Sequence, residues 1–417
     1  MSYVRCLRGI SSGVEYSPDR PMHLCEEDGR PVEMIYDLDR LQADYPDGSW
    51  RDSERPDMWR FGPLLPLDPN DEGDREHIIT LGAGHTPRLS YSGHPVAQDA
   101  GFDLTIKEEG RAHEGYGANP TQSFKDRGMA SVVSMAKRLG IGRLAVPTQG
   151  NAGDALVEYG VAADLEVAVG MPQTTDLPIL GKVAASEKLH PDQVQLDVTE
   201  GTISEAGELV AEKYLSDGYF NVATFKEPGW RIEGKKTMGL ELAEPDEAGG
   251  AWSLPDVILY PTGGGTGVLG MWKAFDELEA LGLIDAADRP RMVSVQSSET
   301  APVVRAFEEG AADTTPVDPG DTLATGLNVA GGVGHFRVLE ILYESEGHAI
   351  AVSEEALAEA FQEVYRAKGW WITSEGAACL AALEPLTENG VIEAGDEVVV
   401  FNTCSLEKYL PAMRHLM

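Results

Sequence analysis

Cysteine is scarce in this 417-residue chain, and long apolar runs are absent. The four cysteines, Cys6, Cys25, Cys379 and Cys404, are too few and too scattered for a disulfide framework, which predicts a reducing, cytoplasmic compartment. No stretch approaches the roughly 20 apolar residues of a membrane-spanning helix, and no apolar run follows the first residues as in a signal peptide. We therefore expect a globular protein with no membrane partner.

Basic residues are also few compared with acidic residues. The chain has 33 Lys and Arg, only 12 of them Lys, against 69 Asp and Glu, and its formal net charge is −36. Such a surface repels phosphate backbones and anionic lipid, which argues against a nucleic-acid partner. Because the acid is spread along the whole chain, we interpret it as a surface that stays hydrated in concentrated salt, typical of a halophilic protein. An ordinary acidic enzyme is the alternative.

The order of apolar segments predicts the fold class. Residues 1–75 are rich in Pro, Asp and Arg and have little periodicity, so we expect a loop-rich extension. After them, strand-like apolar runs alternate with helical patterns, which predicts an α/β protein with parallel sheets. The runs that indicate strands most clearly are 143–147, 165–170, 257–260, 292–296 and 397–401.

Two segments contain candidate site residues for an aldehyde and an anion. Lys125 follows Phe124 and a run of small residues that bury it, and a lysine removed from water can act as a neutral nucleophile toward an aldehyde. A solvated turn lysine is the alternative. Residues 148–151 link a strand to a helix, where exposed N–H groups bind carboxylate or phosphate and Gly150 permits close approach. An ordinary helix cap explains that pattern equally well.

A third segment contains three consecutive glycines, at 263–265, between a predicted strand and a predicted helix. Three glycines cost backbone entropy, so we expect a ligand to approach this backbone closely, and a phosphate fits best. The sequence from Gly265 to Gly270 also satisfies the dinucleotide pattern GxGxxG. A dehydrogenase, with Glu299 as the acid that binds the ribose, is therefore a rival interpretation.

A fourth segment follows the last predicted strand, where Thr403 can hydrogen-bond a ring nitrogen or cap a turn. Together and in order, the four segments resemble the threonine synthases, pyridoxal-phosphate enzymes of the tryptophan-synthase-β fold type. The lysine motif of that family is Asn-Pro-Thr-Gly-Ser-Phe-Lys-Asp-Arg-Gly, and this chain differs from it only at Gln122. Arg-Ile-Glu-Gly-Lys-Lys-Thr at 231–237 and Gly-His-Thr-Pro at 84–87 resemble two further family motifs. The resemblance extends from about residue 58 to the C-terminus.

The resemblance implies that the cofactor is pyridoxal 5'-phosphate. Lys125 holds it and then moves protons at the substrate Cα and Cβ, and Asn151 hydrogen-bonds the 3′ oxygen of the ring. Thr403 faces the pyridine nitrogen. A hydroxyl does not enforce a protonated ring, so the electron sink is mild, which suits elimination and addition at β and γ carbons. The cofactor phosphate is bound by the backbone amides of Gly263, Gly264, Gly265, Thr266 and Gly267.

The implied reaction converts O-phospho-L-homoserine and water to L-threonine and phosphate, by loss of phosphate from Cγ and addition of water at Cβ. Departure of the phosphate needs a cation near the developing charge, and Arg231 is the candidate, ahead of Lys235 or Lys236. A solvated surface charge is the alternative for each of these. The substrate carboxylate is held by Thr148, Gln149 and Gly150.

The implied architecture is two three-layer parallel-sheet domains with a cofactor cleft between them, the fold type II of pyridoxal-phosphate enzymes, preceded by the loop-rich extension. We expect the extension at 1–75, a large cofactor-binding domain at 76–128 and 229–417, and a small domain at 129–228. Proteins of this fold type commonly pair, so we expect a homodimer that takes a small amino-acid substrate.

The N-terminal segment departs from the pattern of the family, whose archaeal members often begin with a four-cysteine zinc ribbon. Cys6 and Cys25 retain half of that signature, since Gly9 and Asp28 stand where the second cysteines belong. His23 lies near, but these residues are short of a convincing tetrahedral set. We expect no metal. A weak site of Cys6, His23, Cys25 and Asp28 is the alternative.

Other departures concern the substrate. Well-matched threonine synthases usually carry Asn and Ser against the substrate phosphate where this chain has Ala-Thr-Phe-Lys-Glu-Pro at 223–228. Gln122 and Gln149 replace smaller residues, and Cys404 stands where the family usually has Gly. Another fold type II enzyme, such as a cysteate synthase or a threonine or serine dehydratase-like lyase, is therefore the alternative. Glu375 matches a segment shared with threonine dehydratases and does not discriminate.

Overall fold

The computed structural model describes residues 3–46, 48–245 and 250–417. Within this part of the chain, strands β1 to β13 are Val4–Gly9, Glu15–Tyr16, Val32–Tyr36, Arg88–Ser90, Asp103–Glu108, Arg143–Pro147, Glu166–Pro172, Val194–Thr199, Phe220–Asn221, Val257–Pro261, Arg291–Ser297, His348–Val352 and Glu397–Asn402. Helices α1 to α15 are Leu38–Asp44, Glu72–Arg75, Pro95–Ala100, Lys125–Arg138, Asn151–Ala162, Leu177–Leu189, Ile203–Lys213, Trp230–Ala243, Thr266–Ala280, Pro302–Glu308, His335–Glu344, Glu354–Lys368, Ser374–Ala381, Leu383–Glu388 and Leu410–Met413. None of these described helices has the length and apolar character needed to cross a bilayer.

The chain forms two compact units. The first contains Met1–His85 and Asn119–Thr237, and the second contains Thr86–Ala118 and Met238–Met417. Each unit therefore combines segments that are distant in sequence, as folds with parallel strands do when crossover connections separate neighbouring strands. The domain bounds that we expect at residues 75, 128 and 228 stay a prediction.

The second unit is built on a six-stranded sheet of order β12-β11-β10-β13-β5-β4. Its strands pair in parallel except β4, which pairs antiparallel with β5 at the edge. Every residue of Val257–Pro261 is buried, because a parallel sheet is covered on both faces. The predicted α/β class with parallel sheets is confirmed. The antiparallel edge strand is an addition, and its three residues are too few to show a pattern.

The first unit has a parallel sheet of order β8-β7-β6-β9 and a three-stranded antiparallel sheet of order β2-β1-β3. The second of these sheets lies within the segment that we expect to be rich in loops, so the extension is more regular than its composition indicates. The reason is visible in β3, where Val32, Met34 and Tyr36 are buried and the residues between them are only partly so. That alternation is the pattern of a strand with one covered face.

Helices α4 and α8 approach each other closely within the first unit. A Cβ atom added to Gly234 would lie 2.0 Å from the carbonyl oxygen of Arg127, and one added to Gly128 would lie 3.5 Å from that of Arg231. The guanidinium of Arg127, on α4, donates to Thr237 Oγ1, on α8, over 2.9 Å. Glycine at 234 is therefore required because the neighbouring backbone occupies the space that a side chain would need.

The N-terminal sheet packs on the start of α8. The hydroxyl of Tyr36 donates to Glu233 Oε2 over 2.8 Å, and Lys236 Nζ lies 2.6 Å from the same oxygen. Gly229 has a φ of +76°, and a Cβ there would lie 2.9 Å from the carbonyl oxygen of Val32. Both charges of the Glu233–Lys236 pair are fully buried. The extension thus supplies a partner to a buried ion pair, which leaves fewer of its polar atoms unsatisfied.

In the second unit, a buried polar network joins the carboxyl ends of β5 and β13. Asn402 Nδ2 donates to both carboxyl oxygens of Glu108, over 3.0 and 2.9 Å. Its Oδ1 accepts from the N–H and the hydroxyl of Thr373, each over 3.0 Å. Burial raises the pKa of Glu108 to about 7, although the bond from Asn402 opposes this. The network holds Asn402 in place directly before Thr403.

We predict that Gly234→Ala lowers the melting temperature, because the new methyl group must push α4 and α8 apart. Overpacking of this kind costs about 1–3 kcal/mol or more. The control is Gly181→Ala in the exposed interior of α6, where no atom lies within 4 Å of the added Cβ. That variant should be neutral or more stable. Equal melting temperatures for the two variants, measured at one salt concentration, would contradict the close contact.

We predict that Glu108 makes the folded protein less stable as pH rises. Its pKa is 4.5 in an ordinary setting and about 7 when folded. Between these values the unfolded chain releases the proton while the folded chain keeps it. The stabilising contribution of Glu108 to the free energy of unfolding is therefore fully present below pH 4.5 and is lost as pH rises through 7. Glu108→Gln mimics the protonated form. Its melting temperature relative to the parent should therefore be higher at pH 8 than at pH 5, by the equivalent of about 3 kcal/mol at most. A pH-independent difference would contradict this.

Candidate active site

Lys125 begins helix α4, directly after a tight turn. The turn is fixed by Asp126, whose carboxylate accepts from the N–H of Thr121 over 2.7 Å and from its hydroxyl over 2.8 Å. Lys125 Nζ lies 4.3 Å from the centre of the Phe124 ring, and the side chain is half-buried. The residues next to it, Ser123 and Asp126, are fully buried. The amine therefore has a defined position at the edge of the interior of the unit.

Gln122, the one departure from the lysine motif, has a φ of +60° and is exposed. This is the left-handed region that glycine enters without cost, which explains why the family motif has Gly there. A side chain with a Cβ costs roughly 1–2 kcal/mol in this conformation. Gln122 thus adopts the backbone conformation that suits glycine, at some cost in stability.

Arg231, in the first turn of α8, is 4% exposed and is a buried cation rather than a surface charge. Its Nη1 donates to Thr224 Oγ1 over 2.9 Å, and its backbone N–H donates to Glu227 Oε2 over 3.2 Å. Burial lowers the pKa of Arg231 to about 10, and the charge of Glu227 opposes this. Burial raises the pKa of Glu227 to about 7, against the pull of Arg231.

Lys235 and Lys236 differ although they are neighbours. Lys236 forms the buried ion pair with Glu233 and lies 4.0 Å from the ring centre of Tyr36, so the N-terminal sheet and α8 engage it. Lys235 Nζ instead lies 4.7 Å from the centre of the Phe124 ring, which Lys125 also contacts. Burial, with the charges of Lys125 and Arg231, lowers the pKa of Lys235 well below its ordinary value. Of the two lysines, only Lys235 belongs to the cluster around Lys125.

The segment 148–151 forms the predicted turn between β6 and α5. Thr148 and Asn151 are buried, whereas Gln149 and Gly150 are partly exposed. Thr148 Oγ1 accepts from the N–H of Gly150 over 3.1 Å, and no side chain caps the helix at Gly150. Because β9 pairs in parallel with β6, the residues that follow β9 start from the same edge of the sheet. The turn and the segment that leads to Arg231 therefore share that edge.

The glycine-rich turn of the second unit connects β10 to α9. Gly265, with a φ of +82°, precedes the helix and, as a glycine, supplies no side-chain cap. The turn also excludes side chains, since a Cβ on Gly263 would lie 2.5 Å from Gly326 O and one on Gly267 would lie 2.1 Å from Tyr260 Oη. An uncapped helix start lined by backbone amides, with the partial positive charge of the helix dipole, is a site for an anion such as phosphate.

Thr403 follows β13 and is buried, 6% exposed. Strands β13 and β10 are parallel neighbours, so Thr403 and the glycine-rich turn lie at the same edge of the six-stranded sheet. Beside it, Gly110 leaves room for the backbone of Cys404, since an added Cβ would lie 2.3 Å from the Cys404 carbonyl carbon. The structure thus brings together two of the predicted cofactor contacts within the second unit.

The four residues of the alternative metal site, Cys6, His23, Cys25 and Asp28, are not grouped as ligands within the described part of the chain. Cys25 Sγ lies 3.2 Å from Ser12 Oγ and 3.2 Å from Tyr16 Oη, and these hydroxyl contacts contribute to a lowered pKa of its thiol that burial opposes. His23 Nδ1 donates to the carbonyl oxygen of Lys226 over 2.5 Å. Among residues 3–46, 48–245 and 250–417, no group of three His, Cys, Asp or Glu side chains could hold a metal ion.

Sequence reasoning missed Glu227, Glu108 and Asn402, all buried close to predicted site residues. Glu227 lies in the loop before α8, and its carboxylate accepts from the backbone N–H of Arg231 in the first turn, a contact that no periodic pattern in the sequence indicates. Glu108 and Asn402 end neighbouring parallel strands, and their meeting follows from the strand order, which the sequence alone does not fix. Glu375 has a structural contact, since its Oε1 accepts from Gly326 N over 2.9 Å.

The groups present in each unit fit a part of pyridoxal phosphate. The first unit contains a lysine at a helix start, together with two buried basic side chains. The second unit, taken by itself, contains a glycine-lined helix start and a buried hydroxyl. An amine can bind an aldehyde, amide N–H groups can bind a phosphate dianion, and a hydroxyl can bond a ring nitrogen. The aldehyde, the phosphate and the ring nitrogen are the three groups of the cofactor that need such partners.

Similarity to known proteins agrees with this chemistry. A family model described as pyridoxal-phosphate dependent enzyme matches residues 79–403. The threonine synthase of Methanosarcina acetivorans is 31% identical over 98% of this chain and 92% of that protein, and the threonine synthase of Methanocaldococcus jannaschii is 29% identical over 95% and 91%. The structure of maize serine racemase, at 16% identity, has a TM-score of 0.63 and covers 83% of this chain and 97% of that chain, which shows the fold alone.

The matched segment includes both the lysine motif and the glycine-rich turn. We therefore assign the GxGxxG pattern at 265–270 to a pyridoxal-phosphate site, and the dehydrogenase interpretation with Glu299 is not supported. The relatives cover nearly the whole chain, so the resemblance is not confined to one motif. The cofactor is pyridoxal 5'-phosphate, and the architecture is that of the fold type II enzymes. This chain belongs to the pyridoxal-phosphate-dependent enzyme family, and within it to the threonine synthases.

Proposed function

We propose that this protein is a threonine synthase that converts O-phospho-L-homoserine and water to L-threonine and phosphate. Two threonine synthases that match nearly the whole chain support this activity. The observation that carries the proposal is the cluster of the half-buried Lys125 with the buried Arg231 and Lys235, with Glu227 as the acid beside it. An excess of positive charge at a reactive amine, in a chain whose net charge is −36, suits a phosphorylated substrate.

In this proposal Lys125 transfers the protons at the substrate Cα and Cβ. Pyridoxal phosphate, when bound, withdraws electrons from the α-carbon of the substrate, which makes the Cα and Cβ protons acidic. The amine of Lys125 takes and returns these protons, and its place at the start of α4, against the Phe124 ring, restricts where it can reach. Thr148, Gln149 and Gly150 bind the substrate carboxylate, and Asn151 bonds the ring oxygen. Thr403 in the second unit bonds the ring nitrogen.

Arg231 binds the phosphate that leaves. A guanidinium has five N–H donors, and the bond to Thr224 and the weak 3.9 Å contact of Nη2 with Met129 Sδ do not use all of them. Arg231 therefore keeps donors for a phosphate while Thr224 fixes its orientation. Lys235, whose pKa burial and the charges of Lys125 and Arg231 lower, is a second buried basic side chain on the same helix. A fixed cation such as the Arg231 guanidinium stabilises charge that develops on a leaving group without reorganising solvent.

We also propose that the protein acts as a homodimer in the cytoplasm. In the same proposal, the backbone amides of Gly263–Gly267 bind the phosphate of the cofactor. The four cysteines are buried and form no disulfide in the part of the chain that the structure describes, which is consistent with a reducing compartment. We propose the domain bounds at residues 75, 128 and 228 on the resemblance to fold type II enzymes. Size-exclusion chromatography with light scattering in concentrated potassium chloride measures the oligomeric state directly.

The test of the activity is an assay of the cofactor-loaded protein with O-phospho-L-homoserine in concentrated potassium chloride. We predict equimolar release of phosphate and threonine, and loss of both products and of the visible cofactor band in Lys125→Ala. Binding of the cofactor without turnover would instead favour another fold type II enzyme that acts on a different amino acid, which the changed residues 223–228 make the second candidate. Absence of the band in the unaltered protein would refute the whole assignment.

We predict that Arg231→Ala lowers kcat/KM for O-phospho-L-homoserine by about 100-fold or more, the effect expected when a charged donor to the developing phosphate is lost. Binding of L-threonine, which lacks a phosphate, should change little when followed by the cofactor spectrum. Arg305→Ala, which removes an exposed arginine from α10, is the matched control and should behave as the parent. Equal losses with both ligands would mean that Arg231 only supports the fold.

A further inference from the structure

Two carbonyl groups of the glycine-rich turn are held by side chains from outside the turn. Gln296 Nε2 donates to the carbonyl oxygen of Thr262 over 3.1 Å. His335 Nε2 donates to the carbonyl oxygen of Gly263 over 2.8 Å. The amide of Gln296 is itself oriented, because its oxygen accepts from the backbone N–H groups of Val303 and Val304. Both carbonyls are therefore fixed in direction.

The direction of a carbonyl also fixes an N–H group. In a planar trans peptide the C=O of one residue and the N–H of the next point to opposite sides. The bond from His335 to the Gly263 carbonyl therefore turns the N–H of Gly264 away from His335, and the bond from Gln296 does the same for the N–H of Gly263. These two N–H groups belong to the set that the proposed function assigns to the cofactor phosphate.

The imidazole of His335 can act in only one tautomer. A carbonyl oxygen only accepts, so Nε2 carries the proton, and Nδ1 then accepts from the hydroxyl of Thr314 over 3.1 Å. The ring is fully buried. Burial lowers the pKa of His335, and the bond to Gly263 and the charge of Asp313 oppose this. A neutral ring with this tautomer keeps its donor directed at the turn.

The packing leaves the turn little freedom once His335 is in place. A Cβ on Gly332 would lie 2.4 Å from His335 Nε2, and a Cβ on Gly265 would lie 2.4 Å from Val338 Cγ2. Val338 is three residues after His335, so both side chains project from the same face of α11. A Cβ on Gly263 would lie 2.5 Å from the carbonyl oxygen of Gly326. Helix α11 and the segment around Gly326 therefore enclose the turn.

We propose that His335 is a positioning residue that holds the Gly263–Gly264 peptide with its N–H directed at the phosphate of the cofactor. Glycine needs such a restraint more than other residues, because its peptides rotate easily and the loss of that freedom opposes binding. His335 lies 72 residues from Gly263, as their hydrogen bond records. The inference rests on the proposed function, since it takes the glycine-rich turn as the phosphate site.

Two substitutions of His335 distinguish the loss of the Nε2 donor from the loss of the imidazole ring as a whole. In His335→Gln the amide nitrogen reaches the position of Nε2 and can still donate to the Gly263 carbonyl. In His335→Asn the shorter amide reaches the position of Nδ1, so it can contact Thr314 but not Gly263. Both replace a buried polar ring with a buried polar amide, so they are matched for desolvation. His348→Gln, at the start of β12, is a control on another histidine that is only partly buried.

The readout is the affinity for pyridoxal phosphate and for pyridoxal, each measured from the absorption change in protein freed of cofactor. Both compounds can react with Lys125, but only the first carries a phosphate. We expect His335→Asn to bind pyridoxal phosphate about 10- to 100-fold more weakly, as for one lost hydrogen bond to a charged group, and to bind pyridoxal as the parent does. We expect His335→Gln and His348→Gln to resemble the parent with both compounds.

Three results overturn the inference. One is an unchanged affinity for pyridoxal phosphate in His335→Asn, and another is an equal loss for both compounds, which indicates damage to the fold. The third is equal weakening by His335→Gln and His335→Asn. Failure of the proposed activity is a separate result, because it shows as absent turnover of O-phospho-L-homoserine in the unaltered protein. The difference between pyridoxal phosphate and pyridoxal in the variants does not depend on that turnover.

Discussion

The close contact between α4 and α8 at Gly128 and Gly234 is the constraint on which the first unit depends. Lys125 lies at the start of one helix, and Arg231 and Lys235 lie on the other, so the separation of the helices sets the distance between the amine and the cations. A larger residue at 234 has no space, because the carbonyl of Arg127 occupies it. Backbone contact of this kind positions charges more firmly than flexible side chains can.

The two units provide anion sites by the same physical means. In each, a buried parallel strand ends in a turn, and the next helix begins without a side-chain cap, at Gly150 in the first and Gly265 in the second. The first N–H groups of a helix lack partners within the helix, so a bound anion can satisfy them. The backbone at these two helix starts thus offers partial positive charge without any basic side chain, which is useful in a chain with so few lysines.

The sequence predicted the parts of this structure that depend on local patterns. The run 143–147 coincides with β6, and the other four runs differ from their strands by one or two residues, since buried parallel strands are continuous apolar segments. The N-terminal sheet was missed because composition outweighed the alternation in β3, and because Arg8 pairs with Glu33 across a long connection that no local pattern records. Arg231 and Lys235 gave no sign of burial, because a charge is by default assigned to the surface. The contacts of Gln296 and His335 with the turn depend on the packing of distant segments, which no local pattern records.

The contact of the N-terminal sheet with α8 has a consequence for how this segment can change over generations. Tyr36 and Gly229 bind the sheet to the rest of the first unit through a hydrogen bond and a backbone contact that involve no cysteine. A segment held in this way keeps its place against α8 through contacts that need no bound metal. Change at the exposed Asp28, which takes part in neither contact, is then tolerated, whereas loss of the whole segment would leave Glu233 and Lys236 without the cover that Tyr36 provides.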